Sequence, residues 1–193
     1  MDNLLPRDGT AIYINNFLDA EHAARLLTDL VSNIKWKQWP IKIFGKSVLQ
    51  PRLIAFYGDR EVLYKYSGVM IKTTPWTESL LTVKHHIEAQ TKKSFNCVLL
   101  NYYRDENDSM GLHNDNEKEL GSCPTIASLS LGEKRRFRFK HIKQKELQVN
   151  VELEHNSLLI MTDNTQANWK HELPKVKSPK KARVNLTFRN IQS

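Results

Sequence analysis

Cysteine is nearly absent: Cys97 and Cys123 are the only two in 193 residues. Neither has a Cys-x-x-Cys partner, which removes the usual zinc patterns and fits a reducing compartment. No run of about 18 apolar residues occurs, so no membrane span is expected. At the N-terminus Asp2, Pro6 and Arg7 interrupt a short apolar stretch, which is not the pattern of a signal peptide. Internal repeats and low-complexity segments are also missing. Acidic residues are in deficit, 21 against 29 Lys and Arg, for a net charge of +8. That deficit is local: residues 130–183 hold 13 Lys or Arg against 6 Asp or Glu, a net of +7. A segregated basic region suits a polyphosphate partner, although a Lys-rich solvated surface has the same composition. What remains is an ordinary globule, 40% hydrophobic and 26% charged, of a length suited to one domain.

Asp19 opens the first helical signal. Leu26, Leu27, Leu30, Val31 and Ile34 recur at three- and four-residue steps, with Asp19 as cap and Glu21 in the first turn. From Trp36 to Ser67 the chain breaks into short extended pieces. Ile41-Lys42-Ile43-Phe44-Gly45-Lys46 reads as a hairpin that turns at Gly45, with Phe44 at or near its tip. Residues 51–59 and the alternating pair Tyr64 and Tyr66 read as two more strands. A second helix is expected over 77–91 after Pro75, with Leu80, Leu81, Val83, Ile87 and His85 towards its buried side. Everything after Ser94 is strand-like: 95–103, 125–131, 136–141, 146–153, 157–162, 169–173 and 183–191. Short strands at regular spacing without helices between them predict a sandwich or a closed jelly roll. Lys175 to Lys181, with Pro174 and Pro179 beside and within it, reads as a loop.

One stretch organises the rest, Met110-Gly111-Leu112-His113-Asn114-Asp115-Asn116-Glu117, which holds the only His-x-Asp in the chain. On extended backbone, His113 and Asp115 point to one face. An imidazole and a carboxylate there supply two ligands of the 2-His-1-carboxylate triad that binds Fe(II) with open positions. Two hydrogen-bonding loop residues would look the same. His171 follows Asp115 by 56 residues, a gap that suits opposite strands meeting around one cavity. A packing histidine near a strand end is the other reading.

The last strand, Arg183-Val184-Asn185-Leu186-Thr187-Phe188-Arg189, carries more. Period two puts Arg183, Asn185, Thr187 and Arg189 on one face and Val184, Leu186 and Phe188 on the other. At ~3.3 Å per residue the two arginines start about 20 Å apart, a span that two side chains and a short dicarboxylate fill. Each guanidinium offers a fork for one carboxylate, and buried charge of this kind calls for an anion. Asn101 and Tyr103 share a face of the strand leading into the His-x-Asp loop and can donate to the same diacid.

In this order, Asn101-x-Tyr103, His113-x-Asp115-x-Glu117, Ala127-Ser128-Leu129-Ser130-Leu131-Gly132, Ser157-Leu158-Leu159-Ile160-Met161, Trp169-x-His171 and Arg183-x-Asn185-x-Thr187-x-Arg189 resemble the AlkB family of Fe(II)/2-oxoglutarate dioxygenases. The likeness covers roughly residues 40–191 and is closest to the branch that repairs duplex DNA. It implies a mainly β fold with flanking helices, a double-stranded β-helix carrying N-terminal lid strands and a hairpin. The chain would be a single domain, with helices and lid over about 1–93 and the catalytic core over about 94–191. It implies iron held by His113, Asp115 and His171, and 2-oxoglutarate held by Asn101, Tyr103, Arg183, Asn185 and Arg189. Chain order leaves open which arginine meets which carboxylate.

The implied reaction is oxidative demethylation of bases of the 1-methyladenine and 3-methylcytosine type, with O2 consumed. Formaldehyde is released, and 2-oxoglutarate becomes succinate and CO2. A base inside a duplex must be flipped out to present its methyl group. The resemblance makes Phe44 the wedge that fills the vacated stack, against a core-packing role in the hairpin. Tyr66 would sandwich the damaged base against His113, with Arg52, Tyr64 and Glu117 also at the substrate. Asn116 stands where related enzymes can carry an acidic residue, which opens the choice between adenine and cytosine lesions. Arg136, Arg138 and Lys140 alternate with Phe137 and Phe139. They should form a cationic face that, with the Lys175 to Lys181 loop, positions phosphates without reading sequence. A monomer acting on DNA, in the nucleus of a eukaryote or the cytoplasm of a bacterium, is the expected setting. An RNA demethylase or a protein hydroxylase is the alternative class.

Overall fold

The computed structural model describes the backbone of residues 2–43, 46–60, 62–66, 69–178 and 180–192. The side chains of 41–43, 46–47, 63–66 and 69–71 fall outside that description. In chain order, β1 (Thr10–Ile14) is followed by α1 (Ala20–Asn33). The hairpin strands β2 (Pro40–Ile43) and β3 (Lys46–Leu49) come next, then β4 (Leu53–Gly58). A second hairpin follows, β5 (Leu63–Tyr66) with β6 (Val69–Lys72), and then the short β7 (Thr74–Pro75) and α2 (Glu78–Thr91). The remainder is β8 (Cys97–Tyr103), β9 (Met110–His113), β10 (Ile126–Gly132), β11 (Arg135–His141), β12 (Gln148–Leu153), β13 (Ser157–Thr162), the single-turn α3 (Thr165–Asn168), β14 (Trp169–Leu173) and β15 (Arg183–Arg189).

Two sheets face each other. The larger runs β1-β13-β10-β15-β8-β4-β7 and the smaller β12-β11-β14-β9. This is the expected jelly roll, and its alternation is legible strand by strand. Along β15, Val184, Leu186 and Phe188 turn outward into a cluster with Leu26 and Leu30 of α1 and Leu80, Val83 and Ile87 of α2. On the neighbouring strands Val98, Leu100, Ala127, Leu129, Leu158 and Ile160 join the same layer. The opposite faces, with Leu99, Ile126, Leu159 and Met161, meet Phe137, Phe139, Trp169 and Leu173 of the smaller sheet. Each fully buried Leu or Phe contributes about 1.5–3 kcal/mol, so these two layers fix the register of every strand that lines the site.

Asp19 caps α1 as its position suggests, accepting from the Glu21 and His22 amides. Thr77 caps α2 by accepting from the Leu80 amide. Along α2 the expected buried face holds for Leu80, Val83 and Ile87, but His85 is exposed and Leu81 only half-buried. His85 lies two residues from both Val83 and Ile87, about 200° of helix rotation away, so it cannot share their face. β2 pairs with β3 in the register Ile43↔Lys46, which gives the hairpin; its tip, Phe44 and Gly45, lies outside the described residues.

The expected alternation on β11 holds, with Phe137 and Phe139 buried and Arg136, Arg138 and Lys140 on the outer face. Arg136 is paired with Glu152 at 2.8 Å, while Arg138 and Lys140 meet Glu172 at 2.8 and 3.3 Å. Two cross-strand glutamates, one on β12 and one on β14, thus sit among the three cations of that face. In the 175–181 loop Lys180 is likewise paired, with Glu133 at 3.1 Å, whereas Lys175, Lys177 and Lys181 are exposed.

Candidate active site

Three strands bring the His-x-Asp and the distal histidine together. β14 pairs with β9 so that His171 stands opposite His113, and on its other side His171 stands opposite Phe139 of β11. The two imidazoles lie with ring centroids 4.3 Å apart. Asp115 follows where β9 has ended, and its Oδ1 is 3.9 Å from His113 Nε2. One ligand atom from each of His113, Asp115 and His171 falls within a 4.8 Å cluster, close enough to share one cation.

The protonation of each group suits that role. His113 Nδ1 lies 2.8 Å from the Gly111 carbonyl. A carbonyl only accepts, so Nδ1 is the donor there and Nε2 is the nitrogen left for a metal. His171 is stacked on Phe137, centroids 5.3 Å apart, and its buried Nδ1 has no hydrogen-bond partner among the described residues. Burial, helped by His113, pushes the His171 imidazolium down to about 3, so this ring is neutral. Burial opposes the charge of Asp115, but the Arg189 guanidinium beside it outweighs that penalty and holds the carboxyl down at about 2. A carboxylate beside two imidazoles is the donor set of a divalent metal with open positions.

β15 supplies the neighbouring half. Arg183, Asn185, Thr187 and Arg189 line the same pocket as His113, Asp115 and His171, together with Asn101, Tyr103, Met110, Ser128 and Leu173. Arg189 Nη2 donates to Asp115 Oδ1 at 3.0 Å. Arg183 lies at the other end of the strand, its guanidinium 5.1 Å from the Tyr103 ring centre, and Nη2 donates to Ser130 Oγ at 2.8 Å. Its Nε and Nη1 are buried without a hydrogen bond to any described residue. Burial lowers the Arg183 guanidinium to about 10, which still leaves it charged at neutral pH. A buried cation with two unused donors is a costly arrangement unless an anion docks there. Gly132 permits it: at φ +94 its missing Cβ would strike the Ala182 carbonyl, so only glycine lets β10 approach the start of β15 so closely. Between the arginines, Asn185 Nδ2 donates to Ser128 Oγ at 2.8 Å and to the Leu129 carbonyl at 3.1 Å.

Arg52 is buried, donating through Nε to Asn101 Oδ1 at 2.8 Å and through Nη1 to the Ser109 carbonyl at 3.1 Å. It thus orients Asn101 at the pocket wall. Glu117 is half-buried, just before a short 3-10 turn. Tyr64 and Tyr66 belong to β5, but their side chains lie outside the described residues, as does Phe44. Ser128 and Ser130 were not singled out from the sequence as site residues. Their alternation in Ala127-Ser128-Leu129-Ser130-Leu131 was the signal, since it turns two hydroxyls inward opposite Thr187 and Asn185. Met110 and Leu173, paired across β9 and β14, also line the pocket, as ordinary apolar strand residues with no such signal.

Known proteins resemble this chain in sequence and fold. The family described as the 2OG-Fe(II) oxygenase superfamily matches residues 10–189. The chain is 41% identical over 184 residues to alpha-ketoglutarate-dependent dioxygenase alkB homolog 3 of Mus musculus, covering 91% of this chain and 64% of the relative. It is 39% identical over 158 residues to DNA oxidative demethylase ALKBH2 of Homo sapiens, covering 78% and 60% respectively. The chain thus spans less than two thirds of the length of these relatives. The solved structure of OsALKBH1 superposes with a TM-score of 0.68 over 93% of this chain and 97% of that one, at 16% identity, a likeness of fold.

Proposed function

Since this chain belongs to the 2OG-Fe(II) oxygenase superfamily, within its AlkB family, we propose that it removes alkyl groups oxidatively from DNA bases, using Fe(II), 2-oxoglutarate and O2. The observation that carries this reading is one pocket holding both halves of the machinery. It contains a His-Asp-His cluster and, along β15, a buried cation with unused donors. His113, Asp115 and His171 would hold the iron. Asn101, Tyr103, Arg183, Asn185 and Arg189 would hold 2-oxoglutarate.

The geometry orders the two arginines. Arg189 is committed to the metal carboxylate Asp115, so it would serve the keto-acid end nearest the metal. Arg183, six residues away beside Tyr103 and Ser130, would take the distal carboxylate through its free Nε and Nη1. Bound at these residues, Fe(II) with 2-oxoglutarate and O2 would supply the oxidising power to hydroxylate a methyl carbon, whose product would lose formaldehyde. The protein's share would be placement: His113, Asp115 and His171 fix where a metal would sit, and a diacid held by Arg183 and Arg189 would leave room beside it for the base. The wall of Met110, Phe137 and Leu173 keeps that space apolar.

For the substrate, the name of the human relative describes a DNA demethylase. Exposed Lys175, Lys177 and Lys181 between β14 and β15 would follow the phosphates. A duplex substrate with a flipped base is supported by the hairpin β2–β3, whose tip carries Phe44 in the sequence. Anaerobic titration tests the site directly. Fe(II) and 2-oxoglutarate together should produce a visible metal-to-ligand charge-transfer band in the wild type and none in His171→Ala. A wild type without the band would remove the proposed cofactors.

A further inference from the structure

We propose that Gln166 is a positioning residue that sets the metal carboxylate Asp115 from the single turn α3; this rests on the reading of His113, Asp115 and His171 as metal ligands. Asp115 sits on irregular backbone beyond the end of β9, so strand pairing does not fix it. One buried residue instead accepts two bonds from that stretch, one from its backbone and one from a side chain. The Asp115 amide donates to Gln166 Oε1 at 2.9 Å, and Asn114 Nδ2 donates to the Gln166 main-chain carbonyl at 2.7 Å. Gln166 is 2% exposed, and its Nε2 points at Met161 Sδ at 3.6 Å. Its side chain is therefore oriented at both ends.

The turn that carries Gln166 is anchored without the help of that side chain. The Thr10 amide donates to Thr165 Oγ1 at 2.8 Å, and Trp169 Nε1 donates to the Arg7 carbonyl at 3.0 Å. Gly9 packs against Thr165 so closely that a Cβ would lie 2.8 Å from its Oγ1. α3 is thus a fixed post between β13 and the ligand strand β14, and the Gln166 amide extends from it to Asp115. Arg189 orients the carboxylate from one side; Gln166 orients the backbone from the other. A metal ligand needs both, since its position must hold within about 0.5 Å for the site to close on one ion.

The test is Mn(II) uptake in the presence of 2-oxoglutarate, read from the EPR signal of free Mn(II) well below each variant's melting temperature. Gln166→Leu removes the acceptor at near-constant volume, and Gln166→Asn pulls it back by one methylene. Both should weaken Mn(II) binding about 10–100-fold, the usual effect of losing a group that orients a ligand. Gln166→Glu keeps an oxygen at the Asp115 amide and should bind within about threefold of wild type. A residue that merely packs would show no such rescue, because Glu disturbs the Met161 contact as Leu does. Wild-type Mn(II) affinity in the Leu and Asn variants would overturn the proposal, as would a Glu variant as weak as Leu. Asp115→Ala separates the two readings. If it binds Mn(II) like wild type, the metal site itself is wrong and the Gln166 role falls with it. If it loses Mn(II) while the Gln166 variants do not, only the Gln166 role fails.

Discussion

Arg189 and Asp115 form an ion pair at 3.0 Å with both side chains sealed from solvent, 4% and 5% exposed. The pair joins the last strand to the His-x-Asp loop, and so ties the diacid half of the pocket to the metal half. Asp115 owes its low carboxyl pKa chiefly to this pair, against the penalty of burial. Arg189→Ala should therefore do two things at once. It leaves a buried carboxylate uncompensated, at a cost of about 3–5 kcal/mol in stability measured by urea unfolding. It should also raise the 2-oxoglutarate concentration needed for turnover, and Lys should not fully restore it, since the fork geometry is lost. A stable Arg189→Ala with unchanged co-substrate dependence would mean that the pair is incidental.

Arg183 makes a cleaner case, because its unused donors face the pocket and it touches no metal ligand. Arg183→Met should raise the half-saturating 2-oxoglutarate concentration at least about tenfold, as expected for a lost bidentate charge pair. The fold should tolerate the change, since an apolar chain replaces a buried cation with two donors unused. Isothermal titration with 2-oxoglutarate and Mn(II) reads the first effect and thermal melting the second. Unaltered 2-oxoglutarate binding would place the distal carboxylate elsewhere.

How much of this was legible in the sequence depends on whether a feature is periodic. Strand β15 was readable residue by residue, because burial on both faces left the alternation of Arg, Asn and Thr with Val, Leu and Phe intact. Strand β13 and strand β14 were read with their observed bounds. Strand β1 was missed: Ala-Ile-Tyr-Ile has no polar alternation and is held as a strand by pairing with β13. The turn α3 has four residues, too few for any helical period to show. Gln166 was invisible for a different reason, since it acts on a backbone amide 51 positions away. The outer cationic face of β11 is legible from its alternation with Phe137 and Phe139, whereas its partners Glu152 and Glu172 lie on other strands, where single-strand reading cannot see them.

The two cysteines should differ sharply. Cys97 is buried, and burial pushes its thiol up to about 12. A raised folded-state pKa means its stabilising effect is intact below the ordinary thiol range and is lost as pH climbs towards that value. At pH 8 a thiol-disulfide reagent should therefore titrate one group, the exposed Cys123, and reach Cys97 only on unfolding. Two rapidly reacting thiols in the native protein would contradict the packing around β8.

The exposed lysines between β14 and β15 offer a test of DNA binding. Replacing Lys175, Lys177 and Lys181 with Ala should weaken binding to every sequence alike. It should lower the slope of log K against log salt by about 0.9 for each duplex phosphate that no longer meets a lysine. Lys180, held by Glu133, should contribute less. A slope identical to wild type would mean that the loop faces away from the nucleic acid.

Phe44 bears on the duplex. If its ring fills the space vacated by a flipped base, Phe44→Ala loses stacking that offsets about a few kcal/mol of duplex opening. Activity on duplex DNA should then fall much further than activity on a single strand, at fixed salt. Equal losses on both, together with a lower melting temperature, would make Phe44 a packing residue of the hairpin.

The central claim is tested most directly by counting products. Wild-type protein with Fe(II), 2-oxoglutarate and air, given an oligonucleotide carrying one 1-methyladenine, should form formaldehyde and succinate in equal amounts and leave unmodified adenine. His113→Ala, Asp115→Ala and His171→Ala should each leave the base methylated. Succinate formed without formaldehyde or repaired base, or demethylation that survives loss of any one of the three, would contradict the account.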